Sequence, residues 1–329
     1  MTTKPTTLKQ MLRMKRIPFE CDFELTHECN LCCIHCFLEC PKPGTHADPE
    51  MVRHALSELA SLGCIRVGFT GGEPLLHPEF WPLLAEARRL RFAVDLSTNG
   101  TLLDQDMIDR LARMRLKSVR VSLLGACPET HDRIVGRSGG FASALAAVRA
   151  LVRSGIRTEV GCALLRDNYR EAARIRDLAA GLGAFAVIDP RPGASLNGRF
   201  DPRTKGVTSE ELEQYVLPAM PKEQSDGHGC MAGVSQLAIS PYGEVMPCVM
   251  LRESAGRIGD EGLGPMWQDS PVFLALRSES SRELRDGEEM GDQGGLRGKA
   301  RCAGKIWLWR HAALSASRRL KMCARAMTH

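Results

Sequence analysis

The 329-residue sequence has no run of apolar residues long enough to cross a membrane, which excludes a hydrophobic transmembrane helix. Its first residues carry Lys4, Lys9, Arg13, Lys15 and Arg16 but no apolar stretch of the kind a secretory signal needs, so the expected compartment is the cytoplasm. Acidic residues are absent from 293–329, where nine Lys and Arg lie; residues 1–292 then hold 35 basic against 39 acidic side chains. The formal net charge of +5 is therefore a mildly acidic body joined to a basic tail, and a general nucleic-acid-binding face on the body is not expected. Aromatic residues make up only 5%, yet 43% of the chain is hydrophobic and 25% charged, which excludes a disordered chain and a collagen-like repeat. The length excludes a small disulfide-stapled scaffold. In a reducing compartment the 13 cysteines read as metal ligands or buried thiols before they read as disulfides.

From residue 22 onward short β-branched or apolar runs alternate with helical periodicity. Strands are predicted at Phe23 to Thr26, Arg66 to Thr70, Ala93 to Ser97, Ser118 to Leu123, Thr158 to Leu164 and Ala184 to Asp189. Helices fill the gaps; Asp48-Pro49 opens the first of them, with Asp as cap and Pro at the first helical position. Six β/α units in alternation imply an α/β fold with a parallel sheet and right-handed crossovers, either doubly wound or closed toward a barrel. The unusual motifs all follow the carboxyl ends of strands, where both arrangements place their chemistry. After Asp189 the alternation stops. A helix from Ser209 to Leu217 and a hairpin, Ser235 to Ile239 and Glu244 to Met246 around Pro241-Tyr242-Gly243, indicate a smaller second unit. The expected organisation is a basic N-terminal segment over 1–20, a core over 21–200, an extension over 201–277 and an irregular basic tail over 278–329.

The chemistry-bearing residues begin with Cys29-Asn30-Leu31-Cys32-Cys33-Ile34-His35-Cys36, which contains Cys-x3-Cys-x2-Cys through Cys29, Cys33 and Cys36. Three thiolates on one loop can hold three irons of a cubane and leave the fourth iron open to a substrate. A zinc site or a group of buried thiols is the competing reading, although a four-cysteine zinc site ordinarily uses two Cys-x2-Cys knuckles. The second motif, Gly71-Gly72-Glu73-Pro74, follows the next strand: paired glycines let backbone approach a ligand, and Glu73 offers a carboxylate to an ammonium group.

Together these motifs resemble the radical S-adenosylmethionine (radical SAM) superfamily. The resemblance implies a (β/α)6 partial TIM barrel with a 4Fe–4S cluster on Cys29, Cys33 and Cys36, whose open iron chelates S-adenosylmethionine. Gly71, Gly72, Glu73 and Pro74 would hold the methionyl ammonium, while Ser97, Asn99 and Ser122 read either as further cofactor contacts or as turn residues. His35 stands where the family usually has an aromatic residue and can still pack against adenine. His131, Asp132 and Asn168 match a pattern of the peptide-modifying branch, and Asp132 and Asn168 read equally well as caps. The implied reaction is reductive cleavage of S-adenosylmethionine to a 5′-deoxyadenosyl radical that abstracts a substrate hydrogen.

Cys230, Gly243 and Cys248 resemble the opening of a SPASM or twitch extension, which carries auxiliary iron–sulfur clusters and makes Cys230 and Cys248 candidate auxiliary ligands. The family's later cysteine block is missing; only Cys302 and Cys323 follow, at other spacings. Three readings stay open: a variant with one auxiliary cluster, a domain without clusters, or a change of reading frame near the end, the last favoured. The substrate class implied is a peptide, with tetrapyrrole side-chain modification as the enzymatic alternative and a non-catalytic iron–sulfur electron carrier or metal-binding scaffold as the alternative of another class. A reduced flavodoxin or ferredoxin-type protein is the implied electron donor.

Overall fold

A computed structural model describes residues 8–38, 43–189, 196, 202–216 and 231–286. Strands β1 (Glu20–Thr26), β2 (Arg66–Gly71), β3 (Ala93–Thr98), β4 (Ser118–Ser122), β5 (Thr158–Ala163) and β6 (Phe185–Asp189) pair in parallel, each with the next. Helix α1 (Leu8–Lys15) precedes them, and α2 (Pro49–Ser61), α3 (Phe80–Arg89), α4 (Gln105–Arg113), α5 (Pro128–Val135), α6 (Gly140–Arg153) and α7 (Ala172–Gly181) make the crossovers. The alternation read from the sequence is thus the alternation of the fold. Asp48 caps α2 by accepting from the Glu50 amide at 2.9 Å, with Pro49 in the first turn, as the sequence predicts.

Strand periodicity explains which face carries the core. Cys21, Phe23 and Leu25 of β1 are fully buried and share one apolar cluster with Val52, Ala55, Leu56 and Leu59 of α2. The intervening positions carry charged residues: Glu20, Asp22 and Glu24 on β1, Arg66 on β2, Asp95 on β3, Arg120 on β4 and Glu159 on β5. They lie on the inner face, where Arg66 binds Glu20 and Asp95 at 2.5 Å each and Arg120 binds Glu159 at 2.8 Å. Side chains of period two therefore sort into a dry outer layer against the helices and a charged inner layer.

The C-terminal elements join this sheet. After α8 (Ser209–Glu211), which runs on into a wider turn over Leu212–Val216, come β7 (Gln236–Ile239), β8 (Glu244–Met246) and β9 (Gly256–Arg257). Strand β7 pairs in parallel with β1, Glu20 opposite Gln236 and Phe23 opposite Ile239, so the sheet order is β6-β5-β4-β3-β2-β1-β7-β8-β9. The predicted hairpin turn is present, with Ser240 Oγ accepting from the Glu244 amide at 3.1 Å. A buried bidentate pair ties this segment to the barrel: Arg252 donates to both oxygens of Glu24 at 2.8 Å, and Glu24 is fully buried. Helices α9 (Leu263–Asp269) and α10 (Pro271–Asp286) follow, and Trp267, also fully buried, donates through Nε1 to the Arg16 carbonyl. Loss of periodicity at Ser278 predicts an irregular tail from there; α10 instead continues to Asp286. The residues after 286 lie outside the described residues, as do Cys302 and Cys323.

Candidate functional site

The two motifs and the ends of β3 and β4 meet around one cavity of about 260 Å³, lined by Cys29, Cys33, Cys36, Gly71, Gly72, Ser97, Asn99 and Ser122 among others. Each element is held there by identifiable bonds. The cysteine loop leaves β1 and is fixed by α5, a helix the sequence reading passed over: the amides of Cys32 and Ile34 donate to the carbonyls of Val135 and Ile134 at 3.3 and 2.9 Å. Within the loop the Cys36 amide closes a turn on the Cys33 carbonyl at 3.0 Å. Cys32 takes no part in the lining.

The glycine turn is pressed against the start of that loop. Gly72 and Glu73 amides donate to the Thr26 and Glu28 carbonyls at 2.7 and 2.8 Å. A Cβ at Gly71 would lie 2.2 Å from the Thr26 oxygen and one at Gly72 would lie 2.1 Å from the Glu28 oxygen; Gly71 also has φ +127. Both positions demand glycine because backbone meets backbone there, and Gly71 demands it a second time through its dihedral.

Glu73 is placed directly behind the cavity wall. Its side chain is fully buried and absent from the cavity lining; it accepts from Thr98 Oγ1 and the Asn99 amide at 2.8 Å and from the Leu75 amide at 3.3 Å. Burial pushes this carboxyl up to about 7, and the three donors oppose the shift. Pro74 is buried behind the turn and opens a short 3-10 helix, Pro74–Leu76. The part of the motif in the lining is therefore Gly71 and Gly72, while Glu73 orients the neighbouring strand end.

Asn99 carries that orientation to the cysteine loop. Its Oδ1 accepts from the Thr101 amide and hydroxyl at 2.9 and 2.7 Å, and its Nδ2 donates to Asn30 Oδ1 at 2.7 Å and faces the Cys29 sulfur at 3.9 Å. Ser97 and Ser122 line the cavity. Of the other singled-out residues, His131 lines the cavity and its Nδ1 accepts from the Leu124 amide at 3.0 Å. Asp132 is a cap, accepting from the Gly139 and Phe141 amides at 2.7 Å, and Asn168 ties the ends of β4 and β5 through the carbonyls of Leu124 and Ala163.

The thiols fit a cluster better than a single ion. Among the described residues no three Cys, His, Asp or Glu groups converge as a mononuclear ion requires. A cubane keeps its thiolates apart by its own width, and the three cysteines border one cavity. Burial pushes the Cys29 thiol up to about 11, with the charges of Glu73 and Cys36 adding to it, and burial and the other two thiols push Cys33 up further. Three thiolates in so closed a place need a positive core to offset them, which an iron–sulfur cluster supplies. The auxiliary positions differ. Cys248 is buried against Ala232, Leu251 and Leu276, its sulfur accepting from the Leu251 amide at 3.3 Å, and Cys230 lies outside the described residues.

Residues 23–179 match the family model of the radical SAM superfamily, and residues 230–289 match that of SPASM, an iron–sulfur cluster-binding domain. The AdoMet-dependent heme synthase of Methanosarcina barkeri is 26% identical, over 89% of this chain and 93% of that protein. The PqqA peptide cyclase of Gluconobacter oxydans is 29% identical over 77% of each chain. In fold the chain is similar to Streptococcus suis SuiB bound to S-adenosylmethionine, with a TM-score of 0.65, 17% identity, and coverage of 82% of this chain and 70% of that one. The barrel, its cavity and both family matches lead to one assignment: this chain belongs to the radical SAM superfamily, as an enzyme that uses a 4Fe–4S cluster and S-adenosylmethionine and carries a SPASM domain after its radical SAM domain.

Proposed function

We propose that the enzyme matures a peptide by abstracting hydrogen from one of its residues. The observation that carries this reading is the convergence of three loops, from β1, β2 and β3, on a cavity whose wall is shared with a deeper hollow in the barrel. Cys29, Cys33 and Cys36 hold the cluster, and the backbone of Gly71 and Gly72 with Ser97, Asn99 and Ser122 holds S-adenosylmethionine beside it. When bound and reduced by a flavodoxin or ferredoxin-type donor, this pair supplies a 5′-deoxyadenosyl radical. Glu73 fixes Thr98 and Asn99, and so fixes the third strand end against the cysteine loop. Leu31, Leu124 and Val135 provide apolar wall that keeps bulk water from the reacting centre.

Similarity to a peptide cyclase supports the peptide, and the length-wide match to a haem synthase supports a second reading in which the substrate is a tetrapyrrole side chain. Domain limits near residues 20 and 200, with the extension running at least to the end of α10, and a cytoplasmic location complete the proposal; among the described residues no helix is long and apolar enough to cross a membrane. Anaerobic reconstitution tests the core of it. With dithionite and S-adenosylmethionine the enzyme is expected to form 5′-deoxyadenosine, and Cys29→Ala, Cys33→Ala and Cys36→Ala are each expected to abolish it. Undiminished product in all three variants would sink the assignment, and stimulation by a tetrapyrrole but by no peptide would transfer it to the second reading.

A further inference from the structure

The loop that carries the three cysteines reaches the surface beside the end of α5. Cys32, between the first two cluster ligands, is exposed, and its carbonyl faces Gly136: a Cβ there would lie 3.1 Å from that oxygen. The amides of Cys32 and Ile34 are bonded to the same helix end, through Val135 and Ile134. The last turn of α5 is therefore the outer backing of the loop, one residue removed from Cys33.

The exposed side chains gathered here are basic. Arg133 lies on the last turn of α5 and Arg137 directly follows Gly136. Arg166 lies in the loop after β5, and its amide donates to the Lys205 carbonyl at 2.9 Å, which sets those two residues side by side. All four are exposed, and the Arg133 guanidinium, 3.6 Å from Asp167, joins the two pieces into one surface. The nearby acids are engaged elsewhere. Asp132 accepts from the Gly139 and Phe141 amides, Glu171 from the Ala126 amide and the Thr130 hydroxyl, and Glu211, after Lys205, from the Thr208 amide. Asp167 is set against Arg133, and Glu129 lies at the opposite end of α5. Arg170 stands apart, its guanidinium over the rings of Tyr169 and Tyr215. Residues 1–292 are acidic on balance, with 39 acidic against 35 basic side chains, so this concentration of positive charge against the cluster loop runs counter to the rest of the body.

We infer that the surface formed by Arg133, Arg137, Arg166 and Lys205 docks the electron donor, and that the donor is an acidic one-electron carrier of the flavodoxin class. The inference rests on the reductive reading above and names where its electron enters. One electron leaves the carrier's reduced flavin and one is gained by the cluster behind the loop; no atom or proton is exchanged. Opposite charge on the two faces steers their encounter and raises the association rate by about 10 to 10³-fold, an effect that salt screens. Charges at the rim of such a contact act mainly on the association rate.

The test uses the full chain, reconstituted anaerobically with its cluster and S-adenosylmethionine, and reads formation of the reduced cluster by stopped-flow absorbance and by its electron paramagnetic resonance signal. Two reductants are compared: fully reduced flavodoxin and the small, neutral 5-deazaflavin radical generated by light. In the variant Arg137→Glu, Arg166→Glu, Lys205→Glu the second-order rate with flavodoxin is expected to fall at least about tenfold at low ionic strength, while the rate with deazaflavin stays at the parent value. The parent's flavodoxin rate is expected to fall as salt is added, and Arg137→Lys, Arg166→Lys to keep the parent behaviour. A flavodoxin rate unchanged by the charge reversal, or a parent rate indifferent to salt, would overturn the inference. So would equal slowing with both reductants, which would place the change at the cluster and not at a docking face. A parent reduced by deazaflavin but never by flavodoxin would overturn the donor as well, and 5′-deoxyadenosine formed with dithionite would still leave the radical reading standing.

Discussion

Arg252→Met tests how the C-terminal segment is held to the barrel. The guanidinium makes two hydrogen bonds of 2.8 Å to Glu24, a carboxylate with no exposed surface, and Arg252 itself is 17% exposed. Removing one partner of such a pair leaves a buried charge uncompensated, which costs about 3–5 kcal/mol. The low end applies, because His27 Nε2 stays 3.3 Å from Glu24 Oε2. The double variant Glu24→Gln, Arg252→Met leaves no buried charge and is expected within about 1 kcal/mol of the parent, a coupling of about 2 kcal/mol. Burial alone would raise the Glu24 pKa, but the hydrogen bonds of His27 and Arg252 outweigh it and hold the value below the usual 4.5. A depressed carboxyl contributes stability above its unfolded value and loses it as pH falls through the folded one. The deficit of Arg252→Met should therefore be largest near neutrality and shrink as pH falls, because Glu24, left buried without its guanidinium, takes up a proton at a higher pH in the variant than in the parent. Urea unfolding of the parent, both single variants and the double variant at pH 7 and pH 4 measures each of these terms. A purely additive double variant at pH 7 would refute the reasoning, because it would mean that Glu24 and Arg252 do not act on one another.

Glu73 should leave the opposite pH signature. Its folded value of about 7 lies above the usual 4.5, so the folded state holds the proton more tightly and the group's contribution falls by about 3 kcal/mol as pH rises from 4.5 through 7. Melting of the cluster-free chain between pH 5 and pH 8 should show that slope, and Glu73→Gln should flatten it while turning an amide donor toward Thr98 or Asn99. Gly72→Ala places a Cβ against the Glu28 carbonyl and is expected to cost iron retention after reconstitution, measured as iron and sulfide per chain. Trp267→Ala removes a fully buried indole and should destabilise by about 3–5 kcal/mol in urea, more than Tyr242→Ala, whose ring is half exposed.

Local periodicity made much of this fold legible. The six parallel strands and the helices between them follow from alternation over a few residues, and the cofactor site from two short motifs whose chemistry is carried by the residues themselves. Pairing of β7 with β1 was hidden, because a strand's sequence records its faces and does not name a partner some 200 residues away. Helix α5 was missed for the opposite reason: Pro128 to Val135 is short and was read as a motif, and its role in clamping the cysteine loop is a backbone contact that side-chain patterns do not show. The motif places Glu73 beside the site, but its burial and its bond to the Asn99 amide depend on where β3 ends, which the motif does not record. The polar inner face was visible in principle. Glu20, Asp22 and Glu24 alternate with Cys21, Phe23 and Leu25, and a strand with one fully buried apolar side and one acidic side announces a polar interior.

The strand that leads into the cysteine loop lies inside the sheet, with β2 on one side and β7 on the other. During synthesis its second neighbour leaves the ribosome only after residues 236–239, when most of the chain has been made. Until then the backbone edge of β1 is open, and the loop that takes iron is attached to a strand with half its ladder missing. A ribosome-bound fragment ending before Gln236 is therefore expected to acquire its cluster poorly, and one extended past the hairpin to acquire it normally, as read by iron per chain.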